Sequence, residues 1–371
     1  MLRMNKLSAI IMALTVSLAA CTEGDGTGLD DVAFDPELSA ADLQAVQGAF
    51  ADAVFESFAV SSDGFLLVPD SAGAVPVAVL QASVAAATAG SHWEAAAAAE
   101  AFAAGPASGP LLPVEFLGRT YVHDVDGYRW DETRSDAPTN GVRFVLYEVD
   151  PVTHTPGTSP IGYVDVLDES TDLVYVARVV VVTAEVERIN YTVSAEVADQ
   201  SVTLTVSGFI GDGTTQVDVE FSMTFVHAFP LSTATVEHLI SVPSRDFEVH
   251  ATVIFEFNDE TLEGSIDVDA SFMQGTHSVT VDGVVAFSEG TVPSEGGSFE
   301  IHVDGQPFAT ITVDGGTITV RNATGGELIS AHAQAVRTIF DGLEEMFDER
   351  FEDFIRPVDW LFGANGSNGA L

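Results

Sequence analysis

Carboxylates dominate the chemistry this sequence can offer. Three segments end an apolar alternation in Asp-Gly: Val279 to Gly283, Ile301 to Gly305 and Ile311 to Gly315. Asp282, Asp304 and Asp314 are therefore weak candidates for Ca²⁺ ligands, because a hard cation takes oxygen donors. None of the three sits in a complete Asp-x-Asp-x-Asp-Gly loop with a distal Glu. Asp-Gly is also the residue pair that tight hairpins use, since both residues reach positive φ, so turns alone account for the pattern. The histidines are scattered, with no His-x-x-x-His or His-Glu-x-x-His spacing. His250 and His302 share the polar parity of their strands with Glu248 and Glu300, where they could meet carboxylates on a wet face. Nucleophile chemistry has no signature: there is no Gly-x-Ser-x-Gly elbow, one Cys, and no Lys after Lys6. A glycosidase pair cannot be inferred where 56 acids make some pairing inevitable. No catalytic residue, cofactor or metal is assigned, and an enzyme is not expected.

The elements that would position these groups follow from periodicity. Between Phe116 and Arg321 apolar residues recur every second position. Strands are predicted at about 161–168, 172–183, 185–197, 201–210, 215–227, 233–242, 246–257, 262–272, 277–287, 298–303, 307–313 and 317–321, with earlier β-rich runs at 121–130 and 142–149 and a Pro-rich loop at 150–160. The intervals leave no room for crossover helices, so an antiparallel sheet is predicted. Phe247, Val249, Ala251, Val253, Phe255 and Phe257 share one face of a strand, and Glu248, His250, Thr252 and Glu256 share the other. One face is apolar and the other acidic.

Helical periodicity brackets the strands. Ser39-x-x-Asp42 opens a capping box, and Leu43, Val46, Phe50, Val54 and Phe58 predict a helix from about Ala40 to Phe58. An Ala-rich stretch, 13 Ala in the 23 residues Ala82 to Ala104, follows. A last amphipathic helix from about Glu327 to Ile355 stops before Pro357. The predicted fold class is α+β: a large curved antiparallel β-meander whose apolar face is covered by the N-terminal and C-terminal amphipathic helices. The predicted organisation is a signal peptide at 1–20, a flexible tether at 21–38, a helical region at 39–110, the sheet at 111–325, the last helix at 326–362 and a disordered tail at 363–371. A transmembrane barrel fits less well, given helical ends and only 3 Trp and 6 Tyr for two aromatic girdles.

The 371 residues hold 13 basic and 56 acidic side chains, a formal charge of −43. A nucleic-acid partner needs a basic footprint and is not expected. The leader places Arg3 and Lys6 before an apolar run from Leu7 to Leu18, and then Ala19, Ala20 and the sole cysteine, Cys21. That is a secretory signal, too short for a membrane span. Leu18-Ala19-Ala20-Cys21 resembles the lipobox of bacterial lipoproteins, which implies lipidation of Cys21 as the new N-terminus. Thr22, in place of the Asp that retains such proteins at the inner membrane, favours the outer membrane of the cell envelope, on its periplasmic or its surface side. Losing Arg3 and Lys6 takes the charge from −43 to −45. A chain so rich in Asp and Glu and free of Lys resembles proteins of salt-rich habitats, where ions screen self-repulsion.

The architecture resembles the half-barrel of periplasmic lipoprotein carriers and related lipid-binding lipoproteins. If so, an apolar space between sheet and helices would be lined by Phe221, Phe225, Phe247, Phe255, Phe272, Phe340 and Phe347. A filled core fits the same pattern. The leading expectation is a non-enzymatic, lipid-anchored envelope protein that acts as a binding or interaction module, with a lipid or other apolar ligand as one version. The alternative is a structural or adhesive surface lipoprotein with an acidic, calcium-binding face; a hydrolase ranks third. The expected partner is the membrane, through acylated Cys21, and a protein partner is left unknown.

Overall fold

The computed structural model describes Asp42, residues 45–62, Phe65, and residues 111–328 with short breaks at 113, 125–126, 151, 154, 172–173, 199–200, 259, 289–290 and 315–316. The leader, Cys21, the tether, the Ala-rich stretch, the last helix with Phe340 and Phe347, and the tail lie outside the described residues. What is described is mostly β: one sheet of fifteen strands, β1 (Arg119–Asp124) to β15 (Thr317–Asn322), in the order β15 to β3 consecutively and then β1 and β2. Two compact units divide it inside β8 (Gln216–Ala228), between Phe221 and Ser222.

In the unit before that division, residues 45–50 are helical, and α1 (Ala53–Ser62) follows after a break. A single helix to Phe58 was predicted. Asp52 interrupts it, because its carboxylate accepts from the Val54 N–H at 2.8 Å and caps a new start. The apolar stripe shifts phase accordingly: Val46, Phe50, Phe55 and Phe58 are buried, and Val54 is partly exposed.

The strands here form an antiparallel ladder with one exception. The prediction of a wholly antiparallel sheet is corrected by β1, which runs parallel to β3 (Gly141–Asp150), with Tyr121 opposite Phe144. No crossover helix is needed, because β2 (Gly127–Trp130) hairpins back along the far side of β1 and carries the chain to the start of β3. β4 is Thr155–Asp168, so much of the predicted Pro-rich loop is strand. Its register with β3 slips near Tyr147, and β5 (Val174–Thr183) pairs only from Gly162 onward. Pro156 and Pro160 therefore lie where no donor is required on the β5 side. Register sets Phe144, Val164, Val181, Ile189 and Ile210 side by side across β3 to β7 (Ser201–Gly211), all buried. The Phe65 ring stacks on Phe144 at 3.9 Å, and Phe58 meets Tyr191 edge-on at 6.4 Å. Each such burial stabilises by about 1.5–3 kcal/mol.

In the other unit, β9 (Leu231–Val242) through β15 form an unbroken antiparallel meander. Val253, Val268, Gly283, Phe299 and Ile311 line up on the packed face. Asp282-Gly283 is a turn dipeptide by composition, but both residues lie inside β12 (His277–Ser288), within the strand expected at 277–287. Gly283 serves packing: a Cβ there would fall 2.7 Å from the ring of Phe299, its cross-strand partner. Asp304-Gly305 does form the expected tight hairpin, with φ of 49° and 72°. Asp42, read from sequence as part of a helix cap, is buried and accepts from Arg245 Nε and Gln274 Nε2; Ser39 lies outside the described residues.

Candidate functional site

The described residues among those expected to line an apolar cavity go into the interior. Phe221, Phe225, Phe247 and Phe272 are buried, and Phe255 is partly so. A shallow cleft of about 280 Å³ lies elsewhere, bounded by Gly162, Tyr163, Val182, Ala184, Glu185 and Glu187. None of the expected lining residues that are described borders it.

A polar network in the first unit escaped the sequence reading. Arg143 grips Asp165 with two hydrogen bonds, 2.7 and 2.8 Å, and its guanidinium lies 3.6 Å from the centre of the Tyr163 ring. Asp136, in the loop between β2 and β3, accepts from the buried Thr120 hydroxyl at 2.8 Å and from Arg134 Nη2 at 2.9 Å. Arg134 holds the Asp136 carboxyl well below the usual carboxylate range, chiefly by that hydrogen bond. Arg143 Nη1 is a further 3.6 Å neighbour of Asp136. Along the same polar side Arg178 donates to Asn190, whose amide donates to Glu187. Asp165 and Asp136 each accept from a donor on a neighbouring strand, Glu187 accepts from Asn190 on its own, and the network ties the strands together. The available signal was the crowding of Arg119, Arg129, Arg134 and Arg143 into one short stretch of an Arg-poor chain.

The polar face of the second unit is built differently. Asp269, Asp282 and Glu300 stand directly opposite one another on β11 (Glu263–Gln274), β12 and β13 (Thr291–Val303). Thr252 continues the row on one side and Thr310 and Arg321 on the other. His302, two residues beyond Glu300, turns its ring nitrogens toward Asp282 Oδ2 at 4.0 Å and Glu300 Oε2 at 3.9 Å. His302 thus lies beside carboxylates on the polar face at distances beyond a hydrogen bond, and His250 stands three strands along the row of His302, opposite Ser271.

No family model, curated protein or solved structure matches this chain. The chemistry of these side chains carries the functional reading by itself.

Of the three Asp-Gly aspartates, Asp282 alone, among the described residues, lies with two other side chains of metal-ligating type, Glu300 and His302, whose donor atoms fall within 4.8 Å of one another. Asp304 binds His277 Nδ1 at 2.9 Å and accepts the Ser278 N–H at 2.9 Å, which ties two turns together. The His277 hydrogen bond lowers the Asp304 carboxyl below its ordinary value. Asp314 ends β14 (Gln306–Asp314) opposite Thr317 and serves a hairpin. On the packed side of β9, desolvation pushes His238 down to about 3, so its ring is neutral at physiological pH.

Proposed function

We propose that this chain is a lipid-anchored cell-envelope protein, attached through acylated Cys21 at the outer membrane, that acts without catalysis as a binding or interaction module. Its working surface is the polar face of the long meander. The observation that supports this reading is the row Asp269, Asp282 and Glu300, three like charges set directly opposite one another. Such an arrangement destabilises a sheet, and its presence on a solvent face is explained by use outside the fold. Among the described residues no helix is long and apolar enough to cross a membrane, which leaves attachment to the leader cysteine in this proposal.

The proposal keeps the flanking amphipathic segments as covers of the apolar face. Phe58 on Tyr191 and Phe65 on Phe144 support such a cover over β3 to β6 (Val186–Ala198). An apolar ligand would share that side with the buried phenylalanines. Peptide mass spectrometry of protein recovered from membranes tests the anchor, and native mass spectrometry of the same sample tests the ligand. A diacylglyceryl-modified Cys21, with release of a Cys21→Ser variant into the soluble fraction, is the expected result. An unmodified cysteine retained in the mature chain would refute the anchor, and a ligand-free spectrum would remove the lipid-carrier version.

A further inference from the structure

We infer that Asp282, Glu300 and His302 form a site for a divalent transition-metal ion, of which Zn²⁺ is the best match. Asp282 and Glu300 face each other across β12 and β13, and His302 follows Glu300 on the same side of its strand. One donor atom from each lies within 4.8 Å of the other two. The shortest imidazole–carboxylate separations, 4.0 Å from Nδ1 to Asp282 Oδ2 and 3.9 Å from Nε2 to Glu300 Oε2, are too long for hydrogen bonds and belong to different ring nitrogens, so a bound ion would take one nitrogen and draw both carboxylates toward it. Metal–donor distances of about 2.0–2.2 Å place ligands somewhat closer together than this. Side-chain rotation closes the difference. Both carboxylates are more than half exposed and free to swing, while the imidazole, 26% exposed, is held against the sheet.

The chemistry of the donors selects the ion. Ca²⁺ prefers six to eight oxygens, and an imidazole nitrogen is a poor match for it. One nitrogen and two carboxylate oxygens suit Zn²⁺, with water completing the sphere. The imidazole distinguishes this group from a plain patch of acid. A second reason is electrostatic. Asp269 stands against Asp282 on its other side, so the site sits in a field of three adjacent carboxylates, and the one basic residue in the row, Arg321, is two strands beyond Glu300. A bound dication relieves repulsion that the register imposes.

The test is isothermal titration of the full mature protein in detergent, near neutral pH, with Zn²⁺ alone and with Ca²⁺ alone. The wild type is expected to bind Zn²⁺ at micromolar concentration. In His302→Ala and Asp282→Asn that binding should weaken by at least the roughly 10–100-fold that outer-shell changes cost at metal sites. His250→Ala, three strands away on the same face, should bind as the wild type does. Circular dichroism melting checks that each variant folds. Should a variant misfold, the visible spectrum of Co²⁺ bound to the wild type reads the site directly: low-coordinate bands displaced by Zn²⁺ are expected, and a spectrum of hydrated Co²⁺ overturns the proposal. Wild-type protein that ignores millimolar Zn²⁺, equal Zn²⁺ affinity in folded His302→Ala, or Ca²⁺ bound as tightly as Zn²⁺ would each overturn it as well. Cys21 lipidation is read separately, so the two proposals can fail independently.

Discussion

The polar faces of the two units use the same strand grammar and opposite charge arrangements. Across β3 and β4 an Arg stands against an Asp, and the neighbouring loop contributes a second Arg–Asp pair to the same network. Across β11, β12 and β13 an acid stands against an acid and then another acid. Arg usage mirrors this: between Arg188 and Arg321 the sole Lys or Arg is Arg245, and it is engaged by Asp42. The net charge of −43 is therefore not spread evenly over one kind of surface. One face spends its few cations to lock strands together, and the other leaves carboxylates to solvent, salt or a ligand.

That contrast can be broken from either side. Arg143→Ala should cause the largest loss, about 2–3 kcal/mol by urea denaturation, because it strands the largely buried Asp165 and removes the stacking on Tyr163. Asp42→Ala should cost about 1–3 kcal/mol, since it leaves Arg245 and Gln274 without their buried acceptor. If it costs nothing, the one cation between Arg188 and Arg321 does no structural work.

Asp136→Asn should cost less, about 0.5–1 kcal/mol near neutral pH, given its exposure. The carboxyl is depressed in the folded state, so its contribution is complete above about pH 4 and fades as pH falls through the native value. The variant should therefore lose less stability on acidification than the wild type, measured as melting temperature against pH. Asp269→Asn should have the smallest effect and the opposite sign, a gain of about 0.2–1 kcal/mol in low salt that disappears in molar salt. A loss at low salt would show that the row is already neutralised.

Much of the sheet was legible beforehand because a half-buried strand alternates. β8 was expected at 215–227 and is Gln216–Ala228; β10 was expected at 246–257 and is Phe247–Asn258. β13 was shortened to 298–303 because Pro293-Ser294-Glu295-Gly296-Gly297 shows no alternation, and pairing with β12 extends it to Thr291 all the same. The helix break was missed because Asp52 falls between residues that keep apolar spacing, and capping competes with propagation there. The dipeptide Asp-Gly is ambiguous for a related reason: it serves a turn at Asp304-Gly305 and, inside a strand, a close ring contact at Gly283. Candidate sites were less legible. His302 was read as able to meet carboxylates, but its grouping with Asp282, twenty residues away across a hairpin, depends on which residues face each other.

By itself the sequence determined composition and parity: a strongly anionic chain, an alternating apolar and polar face along each strand, and the residue types available to each. Periodicity two carries that information within a strand. It does not say which residue of the next strand stands opposite, since a slip of two positions preserves every face. Turn geometry and core packing set that register in the folded chain. They alone put Arg143 against Asp165, and Asp282 between Asp269 and Glu300.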